Sequence, residues 1–325
     1  AAAGRRHRRR VNPLRHDRHI TQAFIIANIP EPIAMTTFSH PGAALREPAG
    51  PGRHSRRLPL VVLAALALAV FLATPAAPAR ADDAKAREIM QQVNDRDDGD
   101  NQTSEVRMVL IDKAGNKRTR ELKSFRKDRG KDTLSIMFFE APADVKGTGF
   151  LTYDYDAAGK DDDQWLYLPA LRKSKRIASS DKSGSFMGSD FNYSDMTKPD
   201  LQDFDYTLMK EEDLDGHKTW QLQAIPRTEA KKDETGYEKS VVWVRQDNYV
   251  VVRGIRWVYK SPRLKFMKVN KLEQIDGVWT TTEMQMVTRE GQSTVHATIL
   301  QFNDVRFNQK LSEDLFTVRQ LEKGP

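Results

Sequence analysis

From Val106 onward apolar and polar residues alternate with a period of two, segment after segment, and that period leaves few folds open. Val106, Met108 and Leu110 alternate with Glu105, Arg107 and Val109; Leu134, Ile136 and Phe138 alternate with Thr133, Ser135 and Met137. Phe204, Tyr206 and Leu208 form another row, and Gln221 and Gln223 separate Trp220, Leu222 and Ala224. Residues 118–125, 163–168, 241–244, 250–259, 264–275, 278–287 and 294–307 continue the theme. Turn chemistry separates them: Gly115-Asn116, Asp215-Gly216, Gln246-Asp247-Asn248, Ser261-Pro262, Asp276-Gly277 and Glu290-Gly291. Short alternating runs joined by tight turns predict an antiparallel meander in one sheet or barrel, of about eleven strands. The expected class is mainly β with few helices. No strand–helix–strand alternation supports a doubly wound nucleotide fold.

Three segments depart from that period. Asp82 to Val93 reads as a helix, capped by Asp82 or Asp83, with Ala86, Ile89, Met90 and Val93 on one face. Ser312 to Phe316 reads as a capped helical turn. Residues 179–200 form a long polar stretch dotted with Phe186, Phe191 and Tyr193. Long loops inside compact domains are usually functional or disordered, and these aromatics need burial, so a packed lid with short helical pieces is expected.

The formal charge of +7 points to nucleic acid until its distribution is considered. Residues 1–81 hold twelve Arg and three acidic residues, 12 − 3 = +9; the remainder holds 40 basic and 42 acidic residues, 40 − 42 = −2. The basicity belongs to the N-terminal segment, so no nucleic-acid partner is expected. Residues 1–57 are Arg-, Pro- and Ala-rich without a period, an unstructured extension in which Met35 could be the true start. Arg53, Arg56 and Arg57 then precede the apolar run 58–73, followed by Ala79-Arg80-Ala81. That order matches a signal peptide cleaved after Ala81, giving 58–81 as its apolar core and cleavage site and 82–325 as one mature β domain.

Chemistry yields mostly exclusions. With no cysteine there is no disulfide, thiolate metal site or cysteine nucleophile. Beyond residue 81 the only histidines are His217, in a turn, and His296, in a strand, which read as a surface and a sheet-face histidine. No Ser occupies the centre of a G-x-S-x-G elbow, and no phosphate loop is present. The acidic run from Asp154 to Asp163 fails as a calcium loop, because Ala158 and Trp165 occupy ligand places. No catalytic residue, metal or cofactor is expected.

Three blocks carry a resemblance: Pro142 to Leu151 (PADVKGTGFL), Asp163 to Ile177 (DQWLYLPALRKSKRI) and Ser185 to Met196 (SFMGSDFNYSDM), with Leu311 to Thr317 (LSEDLFT) after them. In this order and spacing they resemble the outer-membrane lipoprotein-sorting family, in a larger branch related to the periplasmic carrier LolA. The resemblance implies a LolA/LolB-like open half-barrel with a helical lid over an apolar concave face. It further implies acyl chains of a lipoprotein or lipid as cargo, a periplasmic location, an RND- or MMPL-type exporter as partner, and no catalysis. Candidate cavity or lid residues are Phe150, Leu151, Trp165, Tyr167, Phe186, Met187, Phe191 and Tyr193. The basic cluster Arg172, Lys173, Lys175 and Arg176 could meet an anionic headgroup or an acidic partner. Three rival readings differ in class. A non-carrier exporter partner needs no cavity, and a periplasmic hydrolase needs a polar constellation inside it. A membrane barrel would turn Arg118, Arg120, Lys265, Lys268 and Lys271 outward into lipid.

Overall fold

A computed structural model describes residues 82–325; the extension and signal-peptide expectations lie outside the described residues. Thirteen strands form one continuous antiparallel sheet: β1 (Asn101–Asp112), β2 (Lys117–Arg129), β3 (Asp132–Ala141), β4 (Gly149–Asp154), β5 (Asp163–Leu168), β6 (Lys173–Arg176), β7 (Phe204–Leu214), β8 (His217–Pro226), β9 (Tyr237–Arg245), β10 (Val251–Val258), β11 (Arg263–Ile275), β12 (Val278–Glu290) and β13 (Ser293–Phe307). The spatial order is β6-β5-β4-β3-β2-β1-β13-β12-β11-β10-β9-β8-β7, two meanders joined where β1 pairs with β13. The two strands beyond the expected eleven are β4 and β6. Gly149 to Asp154 is too uniformly buried to show alternation, and β6 is four residues of mostly exposed polar chain.

The hairpins follow from their turn residues. Asp215-Gly216 and Asp276-Gly277 both take positive φ, 52° and 83° in the first pair and 52° and 87° in the second. Two consecutive positive φ values make the turn whose twist matches the flanking strands, and Asp-Gly is suited to it.

The sheet curls around residues 179–200. Tyr193 accepts a hydrogen bond at its carbonyl from Gln164 Nε2 on β5 (2.9 Å), and Asp195 accepts one from the Tyr237 hydroxyl on β9 (2.8 Å). Nine interstrand steps separate β5 from β9. Flat, these strands would lie about 43 Å apart, yet two residues of chain span at most ~7 Å. The sheet therefore bends back on itself, with residues 179–200 on its concave face. The expected lid is present, built from three single 3-10 turns: Ser179–Asp181, Phe186–Gly188 and Tyr193–Met196.

Helix α1 (Ala84–Asp95) covers the β7 to β9 end of the same face. Ala86, Ile89, Met90 and Val93 pack on Tyr206, Leu222, Ala224 and Val244, and Val251 joins this cluster to the one beneath the lid. The opposite face is covered at β3 to β5 by the C-terminal segment. There the short helix α3 (Val318–Lys323) adds to the capped turn at Glu313–Leu315. Gly149 permits the close approach there: a Cβ would lie 2.6 Å from Leu321 Cδ1, so the buried leucine side chain would have to shift. Helix α2 (Glu229–Thr235) bridges β8 and β9 beside the lid. No helix among the described residues is long and apolar enough to cross a membrane.

The start of α1 also closes a sheet edge. Asp83 caps the helix through Lys85 N (2.9 Å) and Ala86 N (3.4 Å), and its other oxygen accepts from Leu208 N of edge strand β7 (3.2 Å). Asp82 Oδ1 accepts from Tyr206 N (2.9 Å). These carboxylates occupy backbone donors that would otherwise template another strand. Asp83→Ala removes a cap and an edge bond together. The expected loss is about 2 kcal/mol of unfolding free energy, read from urea titration with an unchanged m-value.

Candidate functional site

The concave face beneath the lid carries an extended apolar row. Val106, Met108 and Leu110 of β1, Leu122 of β2, Phe139 of β3, Phe150 of β4, Met267 of β11 and Met286 of β12 are all buried there. Met137, Leu166, Val269, Met284, Leu300 and Phe302 extend it. Phe186, Phe191, Met187, Tyr193 and Met196 of the lid fill the space above. The Phe186 ring stands edge-on to Phe150 (5.0 Å between centroids) and to Tyr193 (5.7 Å), so the lid's aromatic tip plugs against the β3–β4 wall.

Five of the eight candidate cavity residues thus come together: Phe150, Phe186, Met187, Phe191 and Tyr193. Leu151, Trp165 and Tyr167 are on the opposite face. Leu151 lies opposite Trp165 in the ladder, and all three pack with Phe138, Phe316 and Leu321 under the C-terminal segment. Leu166, one residue from both Trp165 and Tyr167, faces the lid, as Gln164 of the same strand does. Arg120 and Lys265, expected to point outward, also face the lid: Arg120 donates to the Met187 carbonyl, and Lys265 to the carbonyl of Asp190 (2.6 Å). The basic cluster sits on the β5–β6 hairpin at the sheet edge. Arg176 pairs with Asp163 and Lys175 with Asp181, whereas Arg172 and Lys173 are exposed beside Leu171, itself 64% exposed.

The lid's other margin is polar and was not visible in the sequence. Asp190 is buried, and its carboxylate accepts from Thr288 Oγ1 (2.5 Å), Thr298 Oγ1 (2.6 Å) and His296 Nδ1 (2.7 Å). Asp195 pairs with Arg256 of β10 as well as Tyr237, and buried Lys182 pairs with Glu234 of α2 (3.2 Å). Lys265 Nζ also donates to Asn192 Oδ1 (2.7 Å), and burial holds its pKa below the usual lysine range. Burial likewise raises the Tyr237 hydroxyl. The one hint in the sequence was the row His296-Thr298 in β13, polar where its neighbours Leu300 and Phe302 are apolar. His217 is exposed at the start of β8. The nearby Ser185 and Ser189 donate to the carbonyls of Ser189 and Phe191, so neither engages His296.

Three comparisons place this architecture. A family model described as "Uncharacterized protein" matches residues 131–323. A DUF1329 family protein from Desulfovibrio piger is 32% identical over 73% of this chain and 98% of its own, with a TM-score of 0.66. The chain belongs to the DUF1329 family. A domain from Vibrio parahaemolyticus, assigned as an outer membrane lipoprotein-sorting protein, is 31% identical over 73% of this chain and 98% of its own, also at TM-score 0.66. A LolA superfamily protein from Nitrosomonas europaea, 17% identical at TM-score 0.54, shares the fold, covering 72% of this chain and 98% of its own. None of the curated proteins matches. The resemblance carried by the three sequence blocks, and the curved antiparallel LolA-like sheet it implied, are therefore borne out for this DUF1329 chain.

The far end of the lid is held by carboxylates. Asp154 of β4 accepts from Lys198 N (2.9 Å), while Asp162 accepts from Tyr155 N (3.0 Å). Burial, then the neighbouring Asp162 charge, raises the Asp154 pKa from 3.8 to about 7. A raised carboxyl pKa favours the folded state only while the proton is bound. This contribution is complete below about pH 4 and lost as pH rises through about 7. Asp154→Asn keeps an acceptor for Lys198 and removes the charge. Its stability advantage over the parent should grow with pH, by about 2 kcal/mol from pH 5 to pH 7, and level off above that, read from urea unfolding at each pH.

Proposed function

We propose that the protein is a periplasmic, non-catalytic carrier that shields acyl chains of a lipoprotein or lipid on the concave face of its sheet, beneath the lid. The observation that carries this reading is the chemistry of that face. Seven of the ten methionines, Met108, Met137, Met187, Met196, Met267, Met284 and Met286, line the lid cluster. Methionine is flexible and polarisable, and it suits a wall that must fit first its own lid and then an irregular chain. Lid and acyl chain are interchangeable in kind here. Each buried methylene contributes about 0.8 kcal/mol, so roughly ten would offset displacement of Phe186, Met187 and Tyr193.

The lid's tip suits displacement. Met187 adopts φ 50° within its turn, a left-handed conformation that costs a non-glycine residue on the order of 1 kcal/mol. The names of the relatives support lipoprotein sorting as the setting. The exposed Arg172 and Lys173 beside Leu171 fit contact with an anionic headgroup or an acidic partner, including an RND- or MMPL-type exporter. A single mature domain over 82–325, released by cleavage after Ala81, belongs to the same reading.

A fluorescent fatty-acyl probe tests it. The purified protein should take the probe up saturably without detergent. Phe186→Ala combined with Met187→Ala should tighten binding about fivefold, because the plug no longer competes for the wall. No uptake by either protein would remove the carrier reading and leave an exporter partner with a packed interior.

A further inference from the structure

We propose that the cleft on the lid's polar margin is a binding site for an anionic phosphate group, separate from the apolar wall and independent of whether that wall holds acyl chains. The cleft has a volume of about 480 Å³ and lies between the lid and the ends of β10 to β13. Its lid side is formed by Ser185, Gly188 and Asn192, and its sheet side by Lys265 and His296, with Arg263 at the rim.

Two groups in the lining, buried Lys265 and half-buried His296, have hydrogen-bonding capacity to spare. Lys265 is 9% exposed, and both its hydrogen-bond acceptors are uncharged: the Asp190 carbonyl and the Asn192 side-chain oxygen. An ammonium has three donors, so one N–H makes no hydrogen bond; Nζ lies 5.5 Å from the centre of the Tyr237 ring, and no carboxylate among the described residues reaches Lys265 in an ion pair. His296 is oriented by Asp190. The carboxylate, which already takes two threonine hydroxyls, accepts from Nδ1 and so fixes the proton there. His296 forms part of the cleft lining, and its opposite ring nitrogen, Nε2, makes no hydrogen bond among the described residues. A protonated imidazole there donates to an anion; a neutral one accepts from a monoprotonated phosphate. Gly188 takes φ 73°, and a Cβ at that position would meet nothing within 4 Å, so the backbone is open to close approach.

The charges lining the cleft are mixed, and the one that favours an anion is Lys265, which makes no ion pair among the described residues. Lys260, Arg263 and Lys265 line it together with the carboxylates of Asp233 and Asp190, the latter hydrogen-bonded by Thr288, Thr298 and His296. Lys260 pairs with Asp233, and Arg263 with Glu290 at 2.9 Å on the exposed rim, which leaves Lys265 as the buried cation without a charged partner. Phosphate fits this set because it accepts from several donors at once and tolerates both lysine and imidazole. It could arrive free or as the headgroup of a lipid.

The test follows the His296 ring by NMR at constant ionic strength while three ligands are added: inorganic phosphate, glycerol 3-phosphate and a short-chain phosphatidic acid below its micelle concentration. A saturable shift of the His296 signals is expected, weakened about thirtyfold by Lys265→Met and about threefold by Arg263→Gln, with chloride giving no shift. Arg263→Gln changes an exposed rim residue, so it reports on the cleft even if Lys265→Met unsettles the lid. Equal affinity for all three ligands identifies free phosphate chemistry, and a strong preference for the phosphatidic acid identifies a lipid headgroup. If no ligand gives a saturable shift, or the shift survives both substitutions, the cleft is only a latch for the lid and the proposal fails. Acyl uptake is measured separately, so either result can stand without the other.

Discussion

The curl of the sheet around residues 179–200 is the contact on which the rest of the structure depends. Thirteen strands with apolar residues on the inner face cannot remain open to water, since an exposed apolar surface of that size drives association. The lid solves this by matching two walls that differ in chemistry. Phe186, Met187 and Tyr193 meet the apolar wall from β1 to β5, while Lys182, Asp190 and Asp195 meet charged and hydroxyl partners on α2 and β9 to β13. The two margins also differ in how they let go. Detaching a buried aromatic loses about 2–3 kcal/mol, all of which an apolar ligand can restore. Separating a buried ion pair costs about 3–5 kcal/mol when one charge is left without a partner, and no acyl chain can supply that partner. On the proposed carrier reading, the lid would therefore yield first along β3 to β5 and pivot on its ionic margin.

The imperfect hydrogen bonding of the yielding margin points the same way. Gln164 is fully buried and donates to the Tyr193 carbonyl, yet its Oε1 has no partner among the described residues. Thr152, directly opposite it on β4, is 1% exposed and its hydroxyl is equally unpartnered. Native interiors satisfy nearly all such groups, and each orphan is a standing cost of about 1–3 kcal/mol. On the ionic margin, by contrast, both oxygens of the Asp190 carboxylate have donors.

The sequence showed most of the sheet but not which face was which. The period of two located the long strands, and the Asp-Gly pairs located the hairpins. Alternation decides inside from outside only when one face is wet. In β4 and β5 both faces are covered, one by the lid and the other by the C-terminal segment, so Leu151 and Trp165 are as apolar as Phe150 and Leu166. Nothing local distinguishes them, and one step along the strand moved three candidates to the far side. The polar margin was hidden for a different reason. Asp190 and His296 are 106 residues apart, and only the fold of the lid into the curl brings them to 2.7 Å. Lys265 looked like a solvated strand residue because lysine almost always is one.

Amphiphilicity connects the two margins. Phe186, at the apolar wall, and Asp190, at the polar cleft, are four residues apart, a span of at most ~14 Å. A free fatty acid would use only the first wall, and inorganic phosphate only the second. A molecule with an acyl tail and a phosphate head would engage both, and the lid would then close between two parts of one ligand. Binding at the cleft would draw Lys265 and His296 of the sheet toward Ser185 and Gly188 of the lid, strengthening the pivot while the tail displaces the plug. The face that opens and the face that holds would then be read by different halves of the same molecule, which selects for amphiphiles over either half alone.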